Sequence, residues 1–334
     1  MKPGPKFFLL IAAIVSALIS LSAPHLSPYF LHIVIGIGIN IILAVSLNLV
    51  NGYAGQFSLG HAGFMAVGAY TAAWFTVILG PRLVTLVGGA NNPVSASVLF
   101  VIALAVGGIL AAAAGLAVGV PSLRLKGDYL AIVTLGFGEI IRVILQNMDA
   151  VGGARGFTVP PYTNFFWTFA LAGLTIYVVT TMVHSTLGRG FVAVHDDEIA
   201  AEAIGINTTR YKVIAFVVGA FFAGIAGGLY AHQVQFISPD GFNFVKSIEI
   251  VVMVILGGMG NTVGVIIAAV LLSLLPALLR EAPPIAVDFL VAGSQVKFTL
   301  VLKDYIMIFY SLLIIVLMLT RPQGLFTLRR AART

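Results

Sequence analysis

Ionisable side chains are scarce inside the apolar stretches of this chain, and their spacing limits the chemistry open to it. Glu139 and Arg142 stand three residues apart, on one face if the run 129–147 is helical. An ion pair there would offset part of the cost of placing charge in an apolar medium. The pair either lines a polar pathway or locks two helices together. Glu249, in the run 242–257, lines such a pathway or reaches headgroup water at its outer end. His61 stands beside Gln56 and Ser58 at the head of a Gly-rich run and reads as a hydrogen-bonded packing residue. The sequence contains no H-E-x-x-H, no G-x-S-x-G, no clustered His, Asp and Glu, and no G-x-x-x-x-G-K-[ST]. Neither catalysis nor nucleotide hydrolysis by this chain is therefore expected, and no cofactor or metal is assigned to it. A T-V-G-Y-G filter, a ring-forming run of acids and a helix with repeated Arg are also missing, which argues against a channel and a voltage sensor.

A second kind of feature is backbone rather than side chain. Gly52-Tyr53-Ala54-Gly55-Gln56 and Gly257-Gly258-Met259-Gly260-Asn261 each read G-x-x-G followed by a side-chain amide, and each leads into a Gly- and Ala-rich run. Gly60 and Gly264 follow at nearly the same offset. Membrane turns favour Gly in any case, but paired interruptions in two halves of a chain also point to an internal repeat whose broken helices line a pathway. On that reading Gly52, Gly55, Gln56, Ser58, Gly60, Gly257, Gly260 and Asn261 face the pathway, with Glu139 and Arg142 as weaker candidates.

These residues must be positioned by membrane helices. Of 334 residues, 9% are charged and 60% hydrophobic, with mean hydropathy +1.07, against roughly 25% charged in soluble proteins. A soluble globular fold is excluded. Ten-residue alternating segments of a β-barrel are absent, which leaves an all-α polytopic membrane protein. Gly, Pro and charge divide the apolar sequence into about ten segments: 7–22, 31–50, 61–80, 98–120, 129–147, 165–183, 213–232, 242–257, 262–279 and 304–320. Lys2 and Lys6 ahead of Phe7–Leu21 resemble a signal peptide, but Pro24 follows Ala23 and many spans come after, so this stretch is read as a first membrane helix. Gly107, Ala111, Gly115 and Gly119 recur every fourth residue on one segment, as do Ala220, Gly224 and Gly228 on another, giving shallow ridges for close helix packing.

The net charge of +6 reads as topology, because no basic patch interleaved with aromatics suggests nucleic acid. With the N-terminus inside, Lys2, Lys6, Arg124, Lys126, Arg189, Arg210, Lys212, Arg321, Arg329, Arg330 and Arg333 fall on the cytoplasmic side. Arg82, Arg155, Lys246, Arg280, Lys297 and Lys303 fall outside, and the bias places both termini in the cytoplasm. The longest stretch on the positive side is the loop 184–212. Within it, Asp196-Asp197-Glu198 favour a helix start and Gly205 suits a left-handed stop. So short a helix is unstable alone and should dock, either on a soluble partner or merely against headgroups, with Ala200, Ala201 and Ala203 as its apolar face.

Five segments together resemble the LivM-type permease subunit of branched-chain amino acid ABC importers. They are Gly52–Phe64, Gly127–Arg142, the Ala200-Ala201 to Gly205 loop, Leu256-Gly257-Gly258-Met259-Gly260 and Arg321-Pro322-Gln323-Gly324-Leu325, in order over nearly the whole chain. The resemblance implies a single permease domain, 1–334, in the bacterial inner membrane, paired with a second, LivH-like permease. Two ABC ATPase subunits below would use ATP and Mg, and an extracytoplasmic substrate-binding protein would deliver substrate above. The loop helix matches the coupling helix of such permeases, implicating Asp197, Glu198, Ala200, Ala201, Glu202 and Gly205. His195 and Lys126 stand where relatives more often have Arg, and Val151–Gly156 departs from the family's T-G-G-x-x-G loop. Urea and short-chain amide permeases are close relatives, and a gradient-driven secondary transporter using Glu139 is a further alternative.

Overall fold

The computed structural model describes residues 27–82, 93–122, 127–281, 285–291 and 294–300, with isolated positions between 308 and 325. The expected segment 7–22 and most of 304–320 lie outside the described residues, as do Arg124 and Lys126. Among the described residues ten α-helices carry the fold: α1 Pro28–Asn48, α2 His61–Trp74, α3 Pro93–Ser122, α4 Asp128–Gln146, α5 Phe165–His184, α6 Thr186–Asp196, α7 Glu198–Ala203, α8 Thr208–Val234, α9 Phe244–Gly257 and α10 Thr262–Glu281. Wider π-turns extend α1 through Leu49–Tyr53 and α2 through Phe75–Leu79. Among the described residues, five helices are long and apolar enough to cross a membrane: Pro28–Tyr53, His61–Arg82, Val94–Ser122, Phe165–His184 and Thr208–Val234. The segments expected at 129–147, 242–257 and 262–279 are also helical, as α4, α9 and α10, but α9 has only 14 residues. Among the described residues, then, five of the expected spans are long and apolar enough to cross, with α4, α9 and α10 packed among them.

Sequence explains where the helices start. Ser27 accepts from the Phe30 amide and Pro28 occupies the first turn of α1, where a missing N–H costs nothing. Asn164, Ser185, Asn207 and Asn243 cap α5, α6, α8 and α9 in the same way. One feature was not expected from the sequence: β3 Ile285–Val291 pairs antiparallel with β4 Ser294–Leu300, in the register Ile285 to Leu300. Both strands are rich in β-branched and aromatic residues and flank Ala292-Gly293, a hairpin signal hidden by the apolar background. The shorter β1 Phe157–Thr158 pairs with β2 Phe236–Ile237 at the end of the bundle opposite the 184–212 loop.

The small-residue ridges meet each other within the chain. A Cβ built on Gly115 would lie 2.5 Å from that of Ala220, and one on Gly224 would lie 2.5 Å from that of Ala111. Gly68 of α2 enters the same junction, where an added Cβ would strike the Gly224 backbone. Lipid supplies no hydrophobic drive for helices to associate, so this approach gains van der Waals contact that larger side chains would prevent. Near one end of the junction His232 Nδ1 lies 2.7 Å from the Gly228 carbonyl and Nε2 lies 3.0 Å from Thr76 Oγ1. Phe100 and Tyr162 pack on the ring, so this buried polar group is fully satisfied.

The junction predicts a contrast. Gly224→Leu overpacks backbone against backbone and is expected to destabilise the chain by roughly 1–3 kcal/mol or more. Gly136→Leu adds its side chain where nothing lies within 4 Å and should be tolerated. Thermal unfolding of the detergent-solubilised full chain followed by circular dichroism would check both, and equal melting temperatures would contradict this account of the junction.

Candidate functional site

At the end of the bundle that bears the 184–212 loop, the two glycine-rich interruptions touch. The Gly260 amide donates to Asn48 Oδ1 at 2.9 Å, across a separation of 212 residues. Gly52 faces the same amide so closely that a Cβ would collide with it and with Asn48 Oδ1. Tyr53 Oη lies 2.9 Å from Thr262 Oγ1, and a third glycine, Gly324 at φ 90°, packs on Gly258 beside a Leu325 amide that donates to the Leu256 carbonyl at 2.8 Å. Both α1 and α9 run toward this end before turning, so the two helix–turn–helix units are parallel and their turns meet. Each turn is internally satisfied. Asn51 clamps Ser58 through two bonds of 3.3 and 3.2 Å, Gln56 Nε2 donates to the Ala54 carbonyl at 3.3 Å, and Ser58 Oγ accepts from Gly60 at 3.4 Å. Gly60 rests on the Thr134 backbone, Gly257 rests on Val265, and Asn261 Oδ1 accepts from the Gly264 amide at 3.2 Å.

The loop lies directly against the first turn. A Cβ on Gly55, itself at φ 67°, would lie 2.5 Å from His195 Nδ1 at the end of α6. The short helix α7 begins as its sequence suggests, with Asp197 Oδ1 accepting from Ile199 and Ala200 amides at 2.9 and 3.0 Å. It ends at Gly205, φ 85°, where the Ile206 amide donates to Ala201 and the Gly205 amide to Glu202, at 3.0 and 2.9 Å. Its acidic residues are used inside the chain: Glu198 pairs with buried Lys212 at 2.6 Å, and Glu202 accepts from Thr208 Oγ1 at 2.7 Å. Ala201, expected on the contact face, is buried beneath the helix rather than on its free face. Facing outward instead are Ala200, Ala203, Ile199 and Ile204, the two isoleucines 75% and 76% exposed.

Toward the opposite end, a cavity of about 470 Å³ opens between α1, α8, α9 and α10. Tyr29 and His32 line its outer part, and Ile39, Asn40, Met65 and Met253 its deep part. Among the described residues its charged lining is a single pair on α9, Lys246 Nζ to Glu249 Oε2 at 3.1 Å. Between the deep part and the glycine turns, Ile42, Leu43, Leu47 and Ala66 are wholly or almost wholly buried, together with the hydrogen-bonded pair Ser46 Oγ and His61 Nε2 at 2.9 Å. Glu139 and Arg142 do not line this cavity. They pair at 2.7 Å, and Arg142 Nη1 and Gln146 Nε2 each donate to Asp240 Oδ1 at 3.0 Å, fastening α4 to the turn before α9. Lys246, Asn40 and Gln233 were not singled out from sequence. The spacing of Lys246 and Glu249, one turn apart at a helix start, is the signal that could have found the site.

The arrangement is a cavity toward one end of the bundle, apposed backbone turns at the other, and a small helix beside those turns. Removing one partner of the Glu198–Lys212 pair strands a cation that is 2% exposed. Glu198→Ala is therefore expected to cost about 3–5 kcal/mol, while Glu198→Leu combined with Lys212→Met should restore most of that loss. Thermal unfolding of the single and double variants checks it, and a single variant as stable as the parent would remove the pair from the account.

The family described as branched-chain amino acid transport system, permease component, matches residues 29–318. The high-affinity branched-chain amino acid transport system permease protein LivM of Salmonella typhimurium is 35% identical over 87% of this chain and 68% of its own length. LivM of Escherichia coli K12 is 34% identical with the same coverage, and LivH of that organism is 25% identical over 71% of this chain and 80% of its own. No solved structure matches.

Proposed function

Because the chain belongs to the branched-chain amino acid transport permease family, we propose that it moves leucine, isoleucine and valine into the cytoplasm as one permease of an ATP-driven importer. The observation that carries this reading is the cavity on one side of a buried, mainly apolar layer, with the glycine turns and α7 on the other. Such a membrane protein needs only to alternate which side is open and forms no covalent bond. The similarity to both LivM and LivH supports pairing with a second permease built on the same plan.

In this mechanism an extracytoplasmic binding protein releases substrate into the cavity. Two ATPase subunits, which hold the ATP and Mg, dock on the outward face of α7 formed by Ile199, Ala200, Ala203 and Ile204. Their closure moves α7 and α6, and His195 passes the displacement to the turn at Gly55. Separating Gly52 from Gly260 breaks the Asn48 bond and opens the inner end, where exposed backbone N–H and C=O groups can accompany the substrate's charged groups. The loop end is cytoplasmic in this assignment, in agreement with the basic-residue bias.

The test is uptake of labelled leucine by liposomes holding this chain, its partner permease, both ATPases and the binding protein. Uptake should require ATP, and Ile199→Glu with Ile204→Glu should cut ATPase co-purification and uptake by roughly tenfold or more without changing membrane insertion. In this cysteine-free sequence, Ala200→Cys should react with an impermeant thiol reagent only from the cytoplasmic side. Uptake driven by an H⁺ or Na⁺ gradient without ATPases, or labelling of residue 200 from outside intact cells, would overturn the reading.

A further inference from the structure

The cavity concentrates its charge at one point and is otherwise polar or apolar. Among the described residues the hydrogen bond between Lys246 and Glu249 is the only one either side chain makes, so two ammonium donors and one carboxylate oxygen are left over. Their side chains are 21% and 36% exposed, and a pair so placed contributes little to folding. Asn40 donates to Ser273 Oγ at 2.8 Å and Gln233 to the His32 carbonyl at 2.8 Å. Each amide oxygen then has no hydrogen-bond partner among the described residues. Ile39, Met65, Val252 and Leu272 supply apolar wall deeper in.

We propose that this cavity is a binding site for the zwitterion of an aliphatic amino acid, with its carboxylate on Lys246, its ammonium on Glu249 and its side chain against Ile39, Met65, Val252 and Leu272. The inference rests on the transport reading above and locates where the permease itself holds its substrate. Among the described lining residues Lys246 and Glu249 supply one cation and one anion. A zwitterion replaces one internal ion pair by two and brings no net charge toward the apolar layer, whereas a lone cation or anion would. Urea or a simple amide carries neither charge and leaves the pair unused. A zwitterionic lipid headgroup presents the same ammonium with an anionic oxygen, so the sources must be separated by experiment.

The experiment uses the assembled transporter in liposomes, with Ala277→Cys, on the cavity lining, as the sole cysteine in this chain. Labelling by an external thiol reagent is timed with and without leucine-loaded binding protein, and leucine uptake is measured per assembled complex. Leucine should slow labelling about tenfold in the parent, and Glu249→Gln and Lys246→Gln should each abolish that protection and lower uptake about tenfold or more. Urea should give no protection. Full protection and uptake in both variants would overturn the site while leaving the transport reading intact. Labelling blocked by phosphatidylethanolamine, relieved in phosphatidylglycerol liposomes and indifferent to leucine would assign the cavity to a lipid headgroup and also overturn it. A parent complex that takes up no leucine would instead overturn the transport reading, and this inference with it.

Discussion

The structure depends on one approach of backbone to backbone, Gly52 against Gly260, bridged by Asn48. Irregular backbone at membrane depth survives only where protein satisfies its N–H and C=O groups. Here the turns satisfy themselves, through Asn51 with Ser58 and through the Gln56 and Asn261 amides, which donate to Val50 and Gly258. Only their outer surfaces are left to meet, and only glycine lets them meet so closely. The contact sets the separation of α1 from α9 and α10, three of the helices that wall the cavity. Closure at one end and capacity at the other are thus consequences of the same fixed point.

The bundle divides the work between two kinds of packing. In α2, α3 and α8, Gly68, Gly107, Gly224 and Gly227 bring helices together until backbone atoms touch, a junction that one added methyl would disturb. Around the cavity the same chain uses Ile39, Met65, Met253 and Leu272, whose longer side chains can rearrange without separating backbones. Interiors packed to native density switch between discrete arrangements rather than deform continuously. The glycine junction therefore serves as a reference frame, and α1, α9 and α10 are the elements whose relations can change against it.

Much of this was legible in the sequence because it is local. The caps at Asp197 and the left-handed stop at Gly205 are properties of a few adjacent residues, and the helix 198–203 formed between them. The paired G-x-x-G elements announced themselves by repetition, although nothing in the pattern said that they would touch. What sequence could not show was direction across space. Ala201 turns inward and Ile204 outward because α7 packs on α8, a tertiary fact. Of the cavity only Glu249 stood out, because Asn40, Gln233 and Lys246 lie on three helices far apart in the chain. Glu139 and Arg142 drew attention as charges in an apolar run, yet their chemistry is spent on Asp240.

The placement of polar groups also decides where work must enter. At the depth of Ile42, Leu43, Leu47 and Ala66 the one polar pair among the described residues, Ser46 Oγ and His61 Nε2 at 2.9 Å, is buried and bonded to itself. Displacement can reach the closure only through elements already in contact with it. Among the described residues α6 ends against Gly55, and α7 is held to α8 by the Glu198–Lys212 pair and the Glu202–Thr208 bond. A six-residue helix has no stability of its own. Capped at both ends and fastened at two points, it behaves as part of the bundle rather than as a flexible loop, so a force on its exposed isoleucines is delivered to the glycine contact instead of being lost in local unfolding.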